Sequence, residues 1–158
     1  MFWPGSRGYA GDMGSAVKYI EVTAPAQACY DWWRSLTRLP EIFPDVLSVE
    51  AQDSQEAMTT WTVSGPLQKK LTWQARIVED SPPHRIAWAT TDSADPDVRN
   101  SGVVRFDDKG SGRTGVEISL AYDPPAGKLG EAVAALFADP QVKVDRAAEQ
   151  FKTLMENR

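Results

Sequence analysis

The sequence predicts an α+β fold in the order β-α-α-β6-α. It expects a curved antiparallel sheet of about seven strands wrapped around a long C-terminal helix. Three observations carry that expectation. First, apolar residues recur at a spacing of two through the middle of the chain. They are Trp61 and Val63; Trp73, Ala75 and Ile77; Ile86 and Trp88; Gly102, Val104 and Phe106; and Val116, Ile118, Leu120 and Tyr122. Strand side chains alternate between faces, so each set lines one face of a sheet. Second, the links between these runs are short and rich in Gly, Pro and Asp, which suits hairpins and not the long crossovers of a parallel sheet. Third, the helical patterns lie near the two ends of the domain, and segregated helices mark α+β architecture.

Each element has its own signal. Val17 to Thr23 alternates and reads as the first strand. Ala24-Pro25 opens a helix, with Pro25 expected at its first position, and the stripe Ala28, Cys29, Trp32 and Trp33 carries it to about Ser35. Leu36 to Phe43 reads as a short second helix, with Pro40 near its start and Pro44 as its stop. Strands are expected over Val46 to Gln52, Ala57 to Val63, Leu71 to Glu79, His84 to Thr90, Asn100 to Phe106 and Val116 to Tyr122. Pro124-Pro125-Ala126-Gly127 ends the sheet. Leu129, Val133, Leu136 and Phe137 begin a helical pattern. It restarts at Asp139-Pro140, with Asp139 as N-cap, and runs through Val144, Ala148, Phe151, Leu154 and Met155.

Composition bounds the function. With 158 residues, 42% hydrophobic and 25% charged, the chain fits one domain with a substantial core, spanning residues 16–158. Residues 1–15 hold four glycines and no periodicity and read as a flexible tail; translation from Met13, or a dispensable tail, is the expectation there. The net charge of -5 and the lack of a basic stripe argue against nucleic acid. One cysteine excludes an internal disulfide and suits a cytoplasmic protein. No apolar run approaches the roughly 20 residues of a membrane span.

Catalytic and cofactor signals are weak. His84, the only histidine, follows Pro82-Pro83 and is expected on a surface loop rather than as a general base. Cys29 sits beside Tyr30 and Trp33, where a buried thiol is a better account than a nucleophile. One His and one Cys do not make a zinc site, so no metal is expected. Gly110 to Gly115 spells G-x-G-x-x-G, but a strand follows it instead of a helix, so it is a hairpin loop and no cofactor is assigned. The loop with Asp92, Asp95 and Asp97 places Asp97 and Val103 where a calcium loop needs Gly and Glu. No catalytic residue is assigned.

Several segments together resemble a known family. They are Glu21-Val22-Thr23-Ala24-Pro25, Leu39-Pro40, Phe43-Pro44-Asp45-Val46, Trp61 to Pro66, Trp73 to Ile77 and Ile86-Ala87-Trp88. To these add Asn100, Gly102, Val104 and Phe106, then Tyr122 to Pro125, and Phe151-Lys152 with Leu154 and Glu156. From Val17 to Glu156 the chain resembles the polyketide cyclase/dehydrase branch of the START-like, Bet v 1-like (SRPBCC) superfamily, the helix-grip fold. The resemblance implies an elongated pocket between sheet and C-terminal helix. Such pockets take lipids, sterols, polyketides or quinones.

The residues agree with that implication, since Trp61, Trp73, Trp88, Phe106 and Tyr122 project to one side. Their burial as plain core would account for them equally well. The expected ligand pocket comprises Trp61, Val63, Trp73, Trp88, Thr90, Asn100, Gly102, Phe106, Tyr122 and Phe137. Thr90, Asn100 and Tyr122 are its polar groups, and Gly102 leaves room for a ligand or allows a bend. Val22, Ile77, Val104 and Leu120 are expected to be pure core. Lys70, Thr72, Gln74 and Arg76 give the opposite face a polar character that argues against a protein-interaction surface. Two functions stay open: binding of a small apolar ligand as carrier or sensor, and cyclase/dehydratase chemistry in which the pocket orients a polyketide chain.

Overall fold

The computed structural model describes residues 14–65, 70–92, 94, 98–123 and 138–158. The elements in chain order are β1 (Gly14–Val22), α1 (Ala26–Arg34), a 3₁₀ helix (Leu36–Glu41), β2 (Val46–Ala51), β3 (Met58–Ser64), β4 (Lys70–Ser81), β5 (Arg85–Thr90), β6 (Asn100–Gly110), β7 (Arg113–Tyr122) and α2 (Pro140–Glu156). The seven strands form one antiparallel sheet in the order β1-β7-β6-β5-β4-β3-β2. The sheet curls into a half-barrel against the C-terminal helix, the expected helix-grip α+β architecture. Among the described residues no helix is long and apolar enough to cross a membrane.

The inner face is the one the alternation marked. Trp61 pairs with Trp73, Trp88 with Gly102 and Gly102 with Leu120, so the apolar sets of neighbouring strands stand side by side. A bulge in β4 between Ile77 and Glu79 shifts the alternation by one residue. Ile77 still pairs with inward Trp88, but beyond the bulge Asp80 pairs with inward Ile86. Asp80 is thereby turned toward α1, where Tyr30 donates its hydroxyl proton to it and Arg34 forms an ion pair of 3.0 Å.

Local chemistry corrects several boundaries. The ladder of β1 starts at Gly14, paired with Tyr122, inside the stretch expected as tail. Pro25 precedes the first helical residue of α1; its carbonyl accepts from the Cys29 amide at 3.1 Å. The second helix is 3₁₀ and ends at Glu41. Pro40 has no amide to continue an α-helical ladder, and the Ile42 and Phe43 amides both close on the Leu39 carbonyl. Asp139 caps α2 by position only. Its φ of 49° is left-handed, its side chain makes no capping bond, and its carbonyl accepts from the Lys143 amide at 3.2 Å. The β6–β7 connection is a two-residue hairpin with Ser111 at φ 57° and Gly112 at φ 75°, the positive pair of a type I′ turn. The helical pattern over 129–137 lies outside the described residues.

The two helices share one aromatic core. Phe151 of α2 sits 5.1 Å from Trp32 and 5.6 Å from Trp33 of α1, ring centre to ring centre. Trp33 stacks on Trp88 of the sheet at 6.1 Å. Aromatic pairs of this kind contribute about 0.5–1.5 kcal/mol beyond simple burial.

β1 is a sheet edge, and α2 covers it chemically. Gln141 accepts from the Val17 amide at 3.4 Å and donates to its carbonyl at 2.8 Å. Lys152 donates to the Glu21 carbonyl at 2.7 Å, and Glu156 accepts from the Thr23 amide at 2.8 Å. Unpaired edge groups invite pairing with another chain, and these side chains satisfy them instead. Gln141→Ala is expected to cost about 1 kcal/mol and to accelerate hydrogen exchange at the Val17 amide. Lys152 and the Thr23 amide hold the Glu156 carboxyl below its ordinary value. Its stabilising share is therefore present above the ordinary carboxylate range and lost as pH falls through the lowered value. Thr23 amide protection measured against pH should fade only in that acid window, and in Glu156→Gln that acid step should be absent.

Candidate functional site

A cavity of about 260 Å³ opens between the sheet, the 3₁₀ segment and the start of α2. Its sheet wall is built from Trp61, Trp73 and Trp88, with Val63, Leu120 and Tyr122. Trp61 stacks on Trp73 at 6.1 Å and on Trp88 at 6.3 Å, so three indoles form a continuous aromatic surface. The opposite wall comes from Leu39 and Phe43, while Val46, the β2 partner of Val63, extends the sheet wall. The turn bearing them is tied down: the Val46 amide donates to the Phe43 carbonyl at 3.0 Å, and the Ser64 amide to the Asp45 carbonyl at 2.8 Å. Asp45, Lys143 and Arg146 form a charged rim where Pro44 and Pro140 also line the cavity, and Asn100 and Ser101 complete its polar lining. Lys143 pairs with Asp45 at 3.3 Å across this mouth. Asn100 donates to the Val98 carbonyl at 2.7 Å, which fixes its amide at the wall.

Six of the residues expected at a pocket line this cavity: Trp61, Val63, Trp73, Trp88, Asn100 and Tyr122. Three do not. Phe106 is buried beneath α1 in an edge-to-face contact with Tyr30 at 6.1 Å, where the helix closes the sheet. Gly102 leaves no room for a ligand, because the Trp88 indole occupies the space; a Cβ there would lie 2.2 Å from the ring. Thr90 is half-buried in β5, paired with Ala75, and does not reach the cavity. Phe137 lies outside the described residues. Leu120, expected as pure core, is half-buried on the cavity wall, while Val22 and Val104 are fully buried and Ile77 packs against the core.

Sequence reasoning missed the second wall and the cationic mouth. Leu39 and Phe43 were hidden in a segment that reads as an ordinary short helix. Lys143 and Arg146 flank the apolar stripe of α2, three residues apart, and so lie on one side of the helix. A basic pair bordering an apolar stripe was the available signal.

Cys29 and Tyr30 are held neutral in the core. Cys29 is fully buried, and burial pushes its thiol up from 9.0 to about 11. Burial, and then the bond to Asp80, push the Tyr30 hydroxyl up from 10.0 to about 12. His84 is exposed in the β4–β5 turn. Among the described residues no group of three or more His, Cys, Asp or Glu is placed to hold a metal ion. Among the described residues the buried indole nitrogens of Trp32, Trp33 and Trp73 have no protein hydrogen-bond partner, whereas that of Trp61 donates to Thr59 at 2.8 Å.

Comparison with known proteins fits this geometry. The sequence profile of the family described as polyketide cyclase / dehydrase and lipid transport matches residues 22–148. The chain belongs to that family. No curated protein matches the chain. A structural-genomics protein of Deinococcus radiodurans is 28% identical, with a TM-score of 0.72 over 91% of this chain and 98% of its own. A START superfamily protein from Mycobacterium smegmatis is 15% identical, with a TM-score of 0.66 over 93% of this chain and 99% of its own. The Zhui aromatase/cyclase of a Streptomyces species is 21% identical, with a TM-score of 0.59 over 92% of this chain and 90% of its own. These last two share the fold of this family member.

Two tests follow from the packing. Gly102→Val forces Trp88 off its seat and should cost at least about 1–3 kcal/mol, the range for overpacked cores. Chemical denaturation measures the loss, and a shifted tryptophan emission reports the displaced ring. The raised thiol and phenol values favour the neutral forms in the fold. Their stabilising share is complete below pH 9.0 for Cys29 and below pH 10.0 for Tyr30. It is lost as pH rises to about 11 and about 12 respectively. Stability should therefore decline across pH 9 to 12, with Cys29→Ala removing the lower part of the slope and Tyr30→Phe the upper.

Proposed function

We propose that the protein binds one small, largely apolar molecule in the cavity between β3–β5, the 3₁₀ segment and α2, and acts as a carrier or sensor. The observation that carries this reading is the cavity itself: a 260 Å³ space walled by stacked indoles and aliphatic side chains. Ligand sites are concave, mostly apolar and furnished with a few polar groups, typically in about 300–1,000 Å³. The volume here lies just below that range and suits a compact ring system or a single medium-length chain. Family membership supports the same class of ligand.

A second reading, cyclase or dehydratase chemistry, is favoured by one observation. Tyr122 and Asn100 both line the cavity, polar residues beside an apolar surface that would fold a reactive chain. Native mass spectrometry after exposure to a lipid extract of the source organism separates the two. An adduct of unchanged ligand mass is expected for the carrier, and a bound product lighter by one water for the dehydratase. Leu120→Trp, which fills the cavity from its wall, should abolish the adduct while leaving the circular dichroism spectrum intact. A well-folded wild-type protein that takes up nothing would overturn the pocket reading.

A further inference from the structure

We propose that the bound molecule is an amphiphilic anion, its negative group held at the cavity mouth by Arg146 with Lys143. This rests on the reading of the cavity as a ligand site and adds the chemical class of the ligand. The argument starts from charge. Among the described residues the mouth holds two cations, Lys143 and Arg146, against one carboxylate, Asp45. Lys143 and Asp45 already compensate each other at 3.3 Å. Arg146 forms no ion pair with any described residue and stands exposed beside the cavity. Among the described residues the mouth thus carries one positive charge more than it has carboxylates to pair, on a chain whose net charge is -5.

The backbone adds to it. Pro140, the first residue of the 17-residue helix α2, also lines the cavity, so the positive end of the helix opens there. Lys143 and Arg146 continue the same side one turn further. A guanidinium offers a planar fork of donors that matches carboxylate or phosphate oxygens. Behind it the walls are aromatic and aliphatic. A neutral apolar molecule would use only the walls, and a cation would be repelled at the mouth. An acid with a hydrophobic body uses both, and the field at the mouth draws it in head last. The source of the charge, a free carboxylic acid or a phosphate ester, shares this chemistry.

Displacement of the neutral fluorophore N-phenyl-1-naphthylamine from the full-length protein tests the proposal. The competitors are dodecanoate, dodecyl phosphate and dodecanol, which share one chain. The anions should displace the dye at about tenfold lower concentration than dodecanol, a gain within the range of charge-assisted contacts at a partly exposed site. Arg146→Gln, an exposed helical substitution, should erase that gap and leave dodecanol unchanged. Added salt should narrow the gap in the wild type only. The stronger of the two anions identifies carboxylate or phosphate as the preferred head, and either supports the proposal. Equal displacement by all three competitors, or an Arg146→Gln variant that weakens all three alike, overturns it while leaving the cavity reading intact. Failure of the dye and every competitor to bind the folded protein removes the cavity reading and this proposal with it.

Discussion

The Trp88 indole covers Gly102, and the contact between sheet and helices is built outward from that seat. On one side Trp88 stacks on Trp33 of α1, which meets Phe151 of α2. On the other it stacks on Trp61, which stacks on Trp73. The chain of rings runs from β4 through β3 and β5 into both helices. Its helix-side half is core, and its sheet-side half is the cavity wall. The same interaction therefore fixes the position of α1 and the shape of the site.

This construction has an energetic cost. Among the described residues the indole N–H groups of Trp32 and Trp33 are buried in the core without a protein partner, and an unsatisfied buried donor costs about 1–3 kcal/mol. Phenylalanine would avoid that cost but would span less distance between elements. The broad ring bridges a curved sheet to helices standing off from it. Aromatic area offsets the lost hydrogen bonds, since one such side chain buries about 150–250 Å².

Alternation made the fold legible. Strand spacing at Trp61/Val63, Trp73/Ala75 and Ile86/Trp88 identified the inner face, because a face that is apolar every second residue has one way to be buried. The cavity was legible to the extent that it is made of that face. Gly102 was misread because a glycine at an inner position says that space is needed, not what fills it; here a neighbouring indole does. Phe106 has the right parity but lies at the end of the sheet that α1 covers, and parity carries no information about position along a strand. The bulge at Ile77–Glu79 was invisible for a related reason, since it reverses the alternation where the side chains turn polar. Arg146 and Lys143 sit outside the apolar stripe, where charged residues are ordinarily solvated.

The contacts between α2 and β1 amount to a length comparison. Along the helix, Gln141 and Glu156 are separated by about 22 Å at 1.5 Å per residue. Along the strand, their partners Val17 and Thr23 are separated by about 20 Å at 3.4 Å per residue. The two rulers, graduated differently, match to within about 2 Å at the ends, and the long Lys152 side chain spans the offset to Glu21 between them. Such a vernier has one reading. A helix displaced by a full turn, about 5.4 Å, loses these coincidences. Lys143 and Arg146 are engraved on the same ruler, so the strand at the sheet's edge sets how far they stand from the tryptophans.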